Sequence, residues 1–110
     1  MSYPIANALY QWEDGNARLR EMSGTREGQR ALRAVSAVRD ELRRRIGATF
    51  TAGQLADLYA EGTDWALEAA RWAIPEHAAD LDPQAIVDGA FYLHLRGATD
   101  YSGGRVVPQE

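Results

Sequence analysis

Between Arg26 and Ile46 the chain runs without a proline, and its apolar residues return at steps of three or four: Leu32, Val35, Val38, Leu42 and Ile46. That spacing places all five on one side of an α-helix, whereas a half-buried strand would alternate every second residue. A helix over these positions is about 31 Å long. It must lay its stripe on other parts of the chain or on a partner. The stripe resembles a coiled-coil seam but is too short to establish one. Gly47 is the expected stop.

The same period recurs on both sides. Ile5, Leu9, Trp12, Leu19 and Met22 form an earlier stripe, interrupted at Gly15-Asn16, where a kink or a late helix start is expected. Ser23-Gly24-Thr25 ends that helix and caps the next. The short link predicts that the first two helices are antiparallel neighbours. Thr51 with Gln54 matches a capping box, and Phe50 with Leu55 a hydrophobic staple, so a third helix starts there and runs to Gly62. A fourth spans about Asp64 to Ile74, before Pro75. Asp82-Pro83 opens a fifth, with rows Ile86, Ala90, Leu93 and Val87, Phe91, and Gly97 closes it. No segment reads as a strand; Arg105-Val106-Val107 is too short and isolated. The fold class is therefore all-α, a small bundle of about five helices: a long N-terminal antiparallel hairpin plus three shorter helices. Residues 1–101 form one helical domain and residues 102–110 a flexible tail.

One near-repeat stands out. Gly62-Thr63-Asp64-Trp65 resembles Gly97-Ala98-Thr99-Asp100-Tyr101 in order and type. Its simplest meaning is punctuation: glycine ends a helix, the threonine hydroxyl caps the next, and the aspartate complements the positive end of the helix dipole. The fourth helix is apolar almost all round, with only Glu68 and Arg71 as interruptions. It therefore reads as a central buried helix, or else as one that leaves Trp72 open for a partner.

Composition excludes several chemistries. The 110 residues contain no cysteine, so disulfides, thiolate metal sites and cysteine nucleophiles are ruled out. The first residues lack a signal-peptide pattern and no stretch has the length of a membrane span, so the expected location is the cytoplasm. All 12 cations are arginine, and alanine occurs 19 times, a bias that suggests a GC-rich coding sequence. Residues 1–46 hold 9 arginines against 6 acids, and residues 47–110 hold 3 against 10, giving +3 and −7. A net acidic chain is a poor general binder of nucleic acid, yet its two-signed surface can dock one face on a partner.

The candidate partner-binding residues are Arg26, Arg30, Arg33 and Arg44, opposite the apolar stripe, together with Trp72. The same arginines also fit a solvated helix face, with Asp40–Arg44 and Glu41–Arg45 at the favourable i, i+4 spacing and Arg43, Arg44 and Arg45 suiting the helix C-terminus. His77 and His94 belong to no metal spacing. Glu76, Asp80 and Asp82 with His77 form an acidic run better suited to solubility and capping than to a cation. No catalytic residue, metal ligand or cofactor is assigned. The expected function is that of a non-catalytic, protein-binding adaptor or regulator, acting on another protein or a larger assembly, with a homodimer as a further arrangement. The alternative is a helix-turn-helix DNA-binding regulator built from the third and fourth helices. Its recognition helix would begin Asp64-Trp65-Ala66-Leu67-Glu68, which suits phosphates poorly. Nucleic acid and membrane are thus disfavoured as partners.

Overall fold

The computed structural model describes residues 5–74, 81–102 and 105–106. It is all-α: α1 (Ile5–Glu21), α2 (Arg26–Ile46), α3 (Ala52–Ala60), α4 (Asp64–Ala73) and α5 (Pro83–Leu95). The acidic run at Glu76, His77 and Asp80 lies outside the described residues, as do residues 107–110 of the expected tail. Within residues 101–106 the chain forms a minimal antiparallel pair, β1 (Tyr101–Ser102) with β2 (Arg105–Val106), in the register Tyr101↔Val106 and Ser102↔Arg105. The isolation of Arg105-Val106 in sequence hid this pairing, since its partner strand is itself only two residues long.

Local capping follows the sequence closely. Thr25 Oγ1 accepts from Gly28 N at 2.9 Å and donates to the Met22 carbonyl at 2.6 Å. Gly24 and Gly47 take the positive φ that stops their helices, +87° and +81°. Thr51 and Gln54 form the reciprocal capping box, and Asp82 caps α5 ahead of Pro83. Thr63 differs. Its side chain makes no capping hydrogen bond, because its backbone (φ −116°, ψ 15°) departs from the extended N-cap geometry. There the turn is held by Gly62, at φ +123°, and by Trp65 Nε1, which donates to the Gly62 carbonyl at 3.1 Å.

Packing departs from the expected hairpin. α1 lies chiefly against α5, while α2 lies against α4 and α5 and shares only a small contact with α1. The reason is the complementarity of two helix faces. Ala8, Trp12, Gly15 and Leu19 recur at steps of four, three and four along α1, and Ala85 and Gly89 offer the matching low relief on α5. Gly15 causes no break; α1 runs straight through it because the glycine admits the α5 backbone.

The central helix is α5, not α4. Every residue from Ala85 to Phe91 is buried. α4 buries Ala66 and Ala70 but exposes Glu68, Arg71 and Trp72, so one side faces solvent. On α2 the inward face comprises Ala31, Ala34, Val35, Val38 and Leu42. Leu32, expected in the stripe, is 62 % exposed. The alanines at 31 and 34 point inward in its place.

An aromatic cluster fills the centre. Trp12 meets Phe91 at 5.4 Å between ring centroids and Tyr59 edge-on at 5.5 Å, and Tyr59 meets Phe91 edge-on at 5.1 Å. Such offset and edge arrangements add about 0.5–1.5 kcal/mol per pair beyond area burial.

Candidate functional site

The arginine face of α2 is mostly open. Arg26, Arg33 and Arg44 are exposed and Arg30 is half-buried. Arg26, Arg33 and Arg44 differ by seven and eleven residues, which returns them to nearly the same side of the helix. Arg44 Nη1 pairs with Glu41 Oε1 at 2.8 Å, an i, i+3 contact in place of the expected Asp40 partner. Arg45 is not held by Glu41; its guanidinium stands 4.2 Å above the Trp65 ring. This cation–π contact joins the end of α2 to the start of α4. Trp72 belongs to α4, apart from the arginines in sequence, and is 84 % exposed.

The second half of α2 forms a feature that the periodicity did not single out. Arg39 and Arg43, one turn apart, line a cleft of about 500 Å³ with Leu93, His94, Arg96 and the Phe50 ring. His94 stacks on Phe50 with centroids 4.6 Å apart and planes only 6° from parallel. A smaller cavity of about 180 Å³ continues from it past Ser36 and Asp40. Among the described residues, Arg39, Arg43 and Arg96 make no ion pair, and His94 Nε2 is buried without a hydrogen-bond partner. Burial pushes the His94 imidazole below its ordinary value, and Arg39 and Arg43 push it the same way. The result is a ring on which a proton is disfavoured, beside three arginines that have no ion-pair partner among the described residues.

A polar cavity of about 450 Å³ lies beside Gln11, Tyr59, Thr63, Gln84 and Asp88. Asp88, 8 % exposed, accepts from the Tyr59 hydroxyl at 2.8 Å and from Gln84 Nε2 at 2.9 Å. Its carboxyl is pushed up, first by burial and then by Asp82 and Asp14, against the lowering effect of the two hydrogen bonds. The Tyr59 hydroxyl also lies 2.8 Å from Gln11 Oε1. One hydroxyl proton serves one acceptor. The Tyr59 proton therefore goes to Asp88 or to Gln11 at a given moment, not to both. Among the described residues no group of three acidic or histidine side chains is placed to hold a metal ion.

The Thr-Asp near-repeat has two structural uses. At its second copy, Thr99 donates to the Phe50 carbonyl through both N–H (2.8 Å) and Oγ1 (3.1 Å). Asp100 Oδ1 accepts from Ala52 N at 2.7 Å. A carboxylate 48 residues away thus sits on the first turn of α3, where negative charge is favoured. This clasp fixes Phe50, and through it the His94 side of the cleft.

No protein-family model, curated protein or solved structure matches the chain. α3 and α4, the pair required for a helix-turn-helix, pack mainly on other helices: α3 on α1 and α5, α4 on α2 and α5. Among the described residues no helix is long and apolar enough to cross a membrane.

Proposed function

We propose that this protein is a small helical adaptor or regulator that docks on another protein through the arginine face of α2 (Arg26, Arg30, Arg33 and Arg44) and through Trp72. The observation that carries the reading is Trp72, an indole 84 % exposed on a helix that buries Ala66 and Ala70 completely. Leaving so large an apolar ring in water forgoes about 1.5–3 kcal/mol of burial, and tryptophan is the residue most enriched at binding hot spots. The exposed arginines supply the polar, charge-steering part of such a surface. The acidic second half of the chain, net −7, keeps the arginine face from acting as a general polyanion binder.

Charge reversal at Arg33 and Arg44 tests the reading. Both side chains are exposed, so the double Arg→Glu variant is expected to keep its helicity by circular dichroism while partner binding is lost. Unchanged binding would remove the arginine face from the interface.

A further inference from the structure

We infer that the cleft walled by Arg39 and Arg43 of α2 and by Arg96 beyond α5 is a binding site for a small phosphomonoester, with the phosphate on the arginines and the organic part over Leu93, Gly97 and Ala48. None of the docking-face residues Arg26, Arg30, Arg33 and Arg44 lines it.

Three observations converge. First, three guanidinium groups from two elements line one cavity, and among the described residues none is neutralised. All three are exposed, so their mutual repulsion is screened and modest, and a bound anion relieves it. The only carboxylate lining the two adjoining cavities, among the described residues, is Asp40. Second, the donors outnumber what a carboxylate can use. A carboxylate brings one charge and two oxygens, whereas a phosphomonoester brings nearly two charges and three strong acceptors, matching arginine forks. Third, at about 500 Å³ the cleft is much larger than a phosphate ion and falls in the range of small-molecule sites. Leu93, Ala48, Gly47 and Gly97 line the remainder, which suits a compact organic group rather than a second charge.

His94 is the built-in reporter. It faces Arg39 and Arg43, with Asp40 and Ser36 beside it on α2, Arg96 on its own segment, and Phe50 stacked on its ring. A bound dianion offsets the two arginines that suppress protonation of the ring. Binding therefore takes up protons, and affinity rises as pH falls toward about 6, below which the phosphate itself loses its second charge.

The test is an NMR titration of the full chain with phenyl phosphate at pH 7 and constant ionic strength, following the His94 ring and the arginine side-chain N–H signals. Benzoate and a short oligothymidylate serve as comparison probes. The expected result is saturable shifts at His94, Arg39, Arg43 and Arg96, with binding about tenfold weaker for benzoate and about tenfold weaker again in Arg39→Gln or Arg43→Gln. Arg20→Gln, an exposed change on α1, should bind as the wild type does. The His94 titration midpoint should move upward on saturation. Non-saturating shifts, equal binding of benzoate, an unmoved His94 midpoint, or tighter oligothymidylate binding spread over Arg26 and Arg30 would each overturn the assignment.

Discussion

Gly15 of α1 and Gly89 of α5 meet backbone to backbone: a Cβ placed on Gly15 would lie 2.8 Å from the Gly89 nitrogen and 2.6 Å from Asp88 Cβ. The reverse substitution is less constrained, because a Cβ on Gly89 would collide with Leu19 Cδ1, the end of a flexible side chain. This crossing seats α1 on the central helix and carries Trp12 into the aromatic cluster.

Gly15→Ala should therefore destabilise the protein by about 1–3 kcal/mol, since the helices must separate, against about 1 kcal/mol returned by helix propensity. Gly89→Ala should cost less, because Leu19 can change rotamer. Thermal unfolding of the two variants checks the order. A Gly15→Ala protein as stable as the wild type would contradict the close crossing.

Asp88 sets a pH dependence of known sign. Its carboxyl is raised by burial, so between the unfolded value near 3.8 and the higher folded value the native state holds more protons than the unfolded one. Stability from this group is present at the acid end and is lost as pH rises through the folded value. Asp88→Asn keeps an oxygen acceptor for Tyr59 and Gln84 and removes the charge. Urea unfolding across pH 4–8 should show the variant at least as stable as the wild type at neutral pH, with a flatter profile. A variant destabilised by several kcal/mol at pH 7 would show that the ionised carboxylate is favourable there.

His94 works in the opposite direction. Its value is lowered by burial first, then by Arg39 and Arg43. Below the ordinary value of 6.5 the unfolded chain binds the proton first, so this contribution to stability falls as pH drops toward the folded value. Arg39→Gln and Arg43→Gln should each raise the NMR midpoint of His94 part of the way to the ordinary value. The rest of the shift belongs to burial and should persist in the double variant.

The clasp between Asp100 and α3 gives a local prediction. Asp100→Ala removes a charged acceptor from Ala52 N and should cost about 1.5–3 kcal/mol. Thr51→Ala, which removes the neighbouring cap, should cost about 1 kcal/mol. Both are read by chemical denaturation. Since the two changes act on one helix start, their effects should not add fully.

These relationships divide into those that a sequence can reveal and those that it conceals. Thr51-Gln54, Asp82-Pro83, Gly24 and Gly47 act on neighbours within four residues, so their composition states their role. The face of α2 was harder. Hydrophobicity favours Leu32, yet Ala31 and Ala34 point inward, and only the packed arrangement distinguishes them. The cleft was harder still. Arg39 and Arg43 carried only their i, i+4 spacing, and His94 only its place after Val87 and Phe91. Their meeting depends on how α2 lies across α5 and on the distant Thr99–Phe50 clasp. Trp72 was visible as a large ring on an almost wholly apolar helix, but its exposure follows from which helix became central.

The central claim is that Trp72 and the α2 arginines form a protein-docking surface. The most direct measurement is affinity capture from nuclease-treated lysate of the source organism, run in parallel with wild-type and Trp72→Ala protein and read by mass spectrometry. Trp72→Ala should fold as the wild type does, because the ring is in water. Wild-type protein should retain one partner in near-stoichiometric amount, and Trp72→Ala should lose it, in line with a hot-spot cost of about 2 kcal/mol or more. A partner retained equally by both proteins, or none retained by the wild type, would contradict the account.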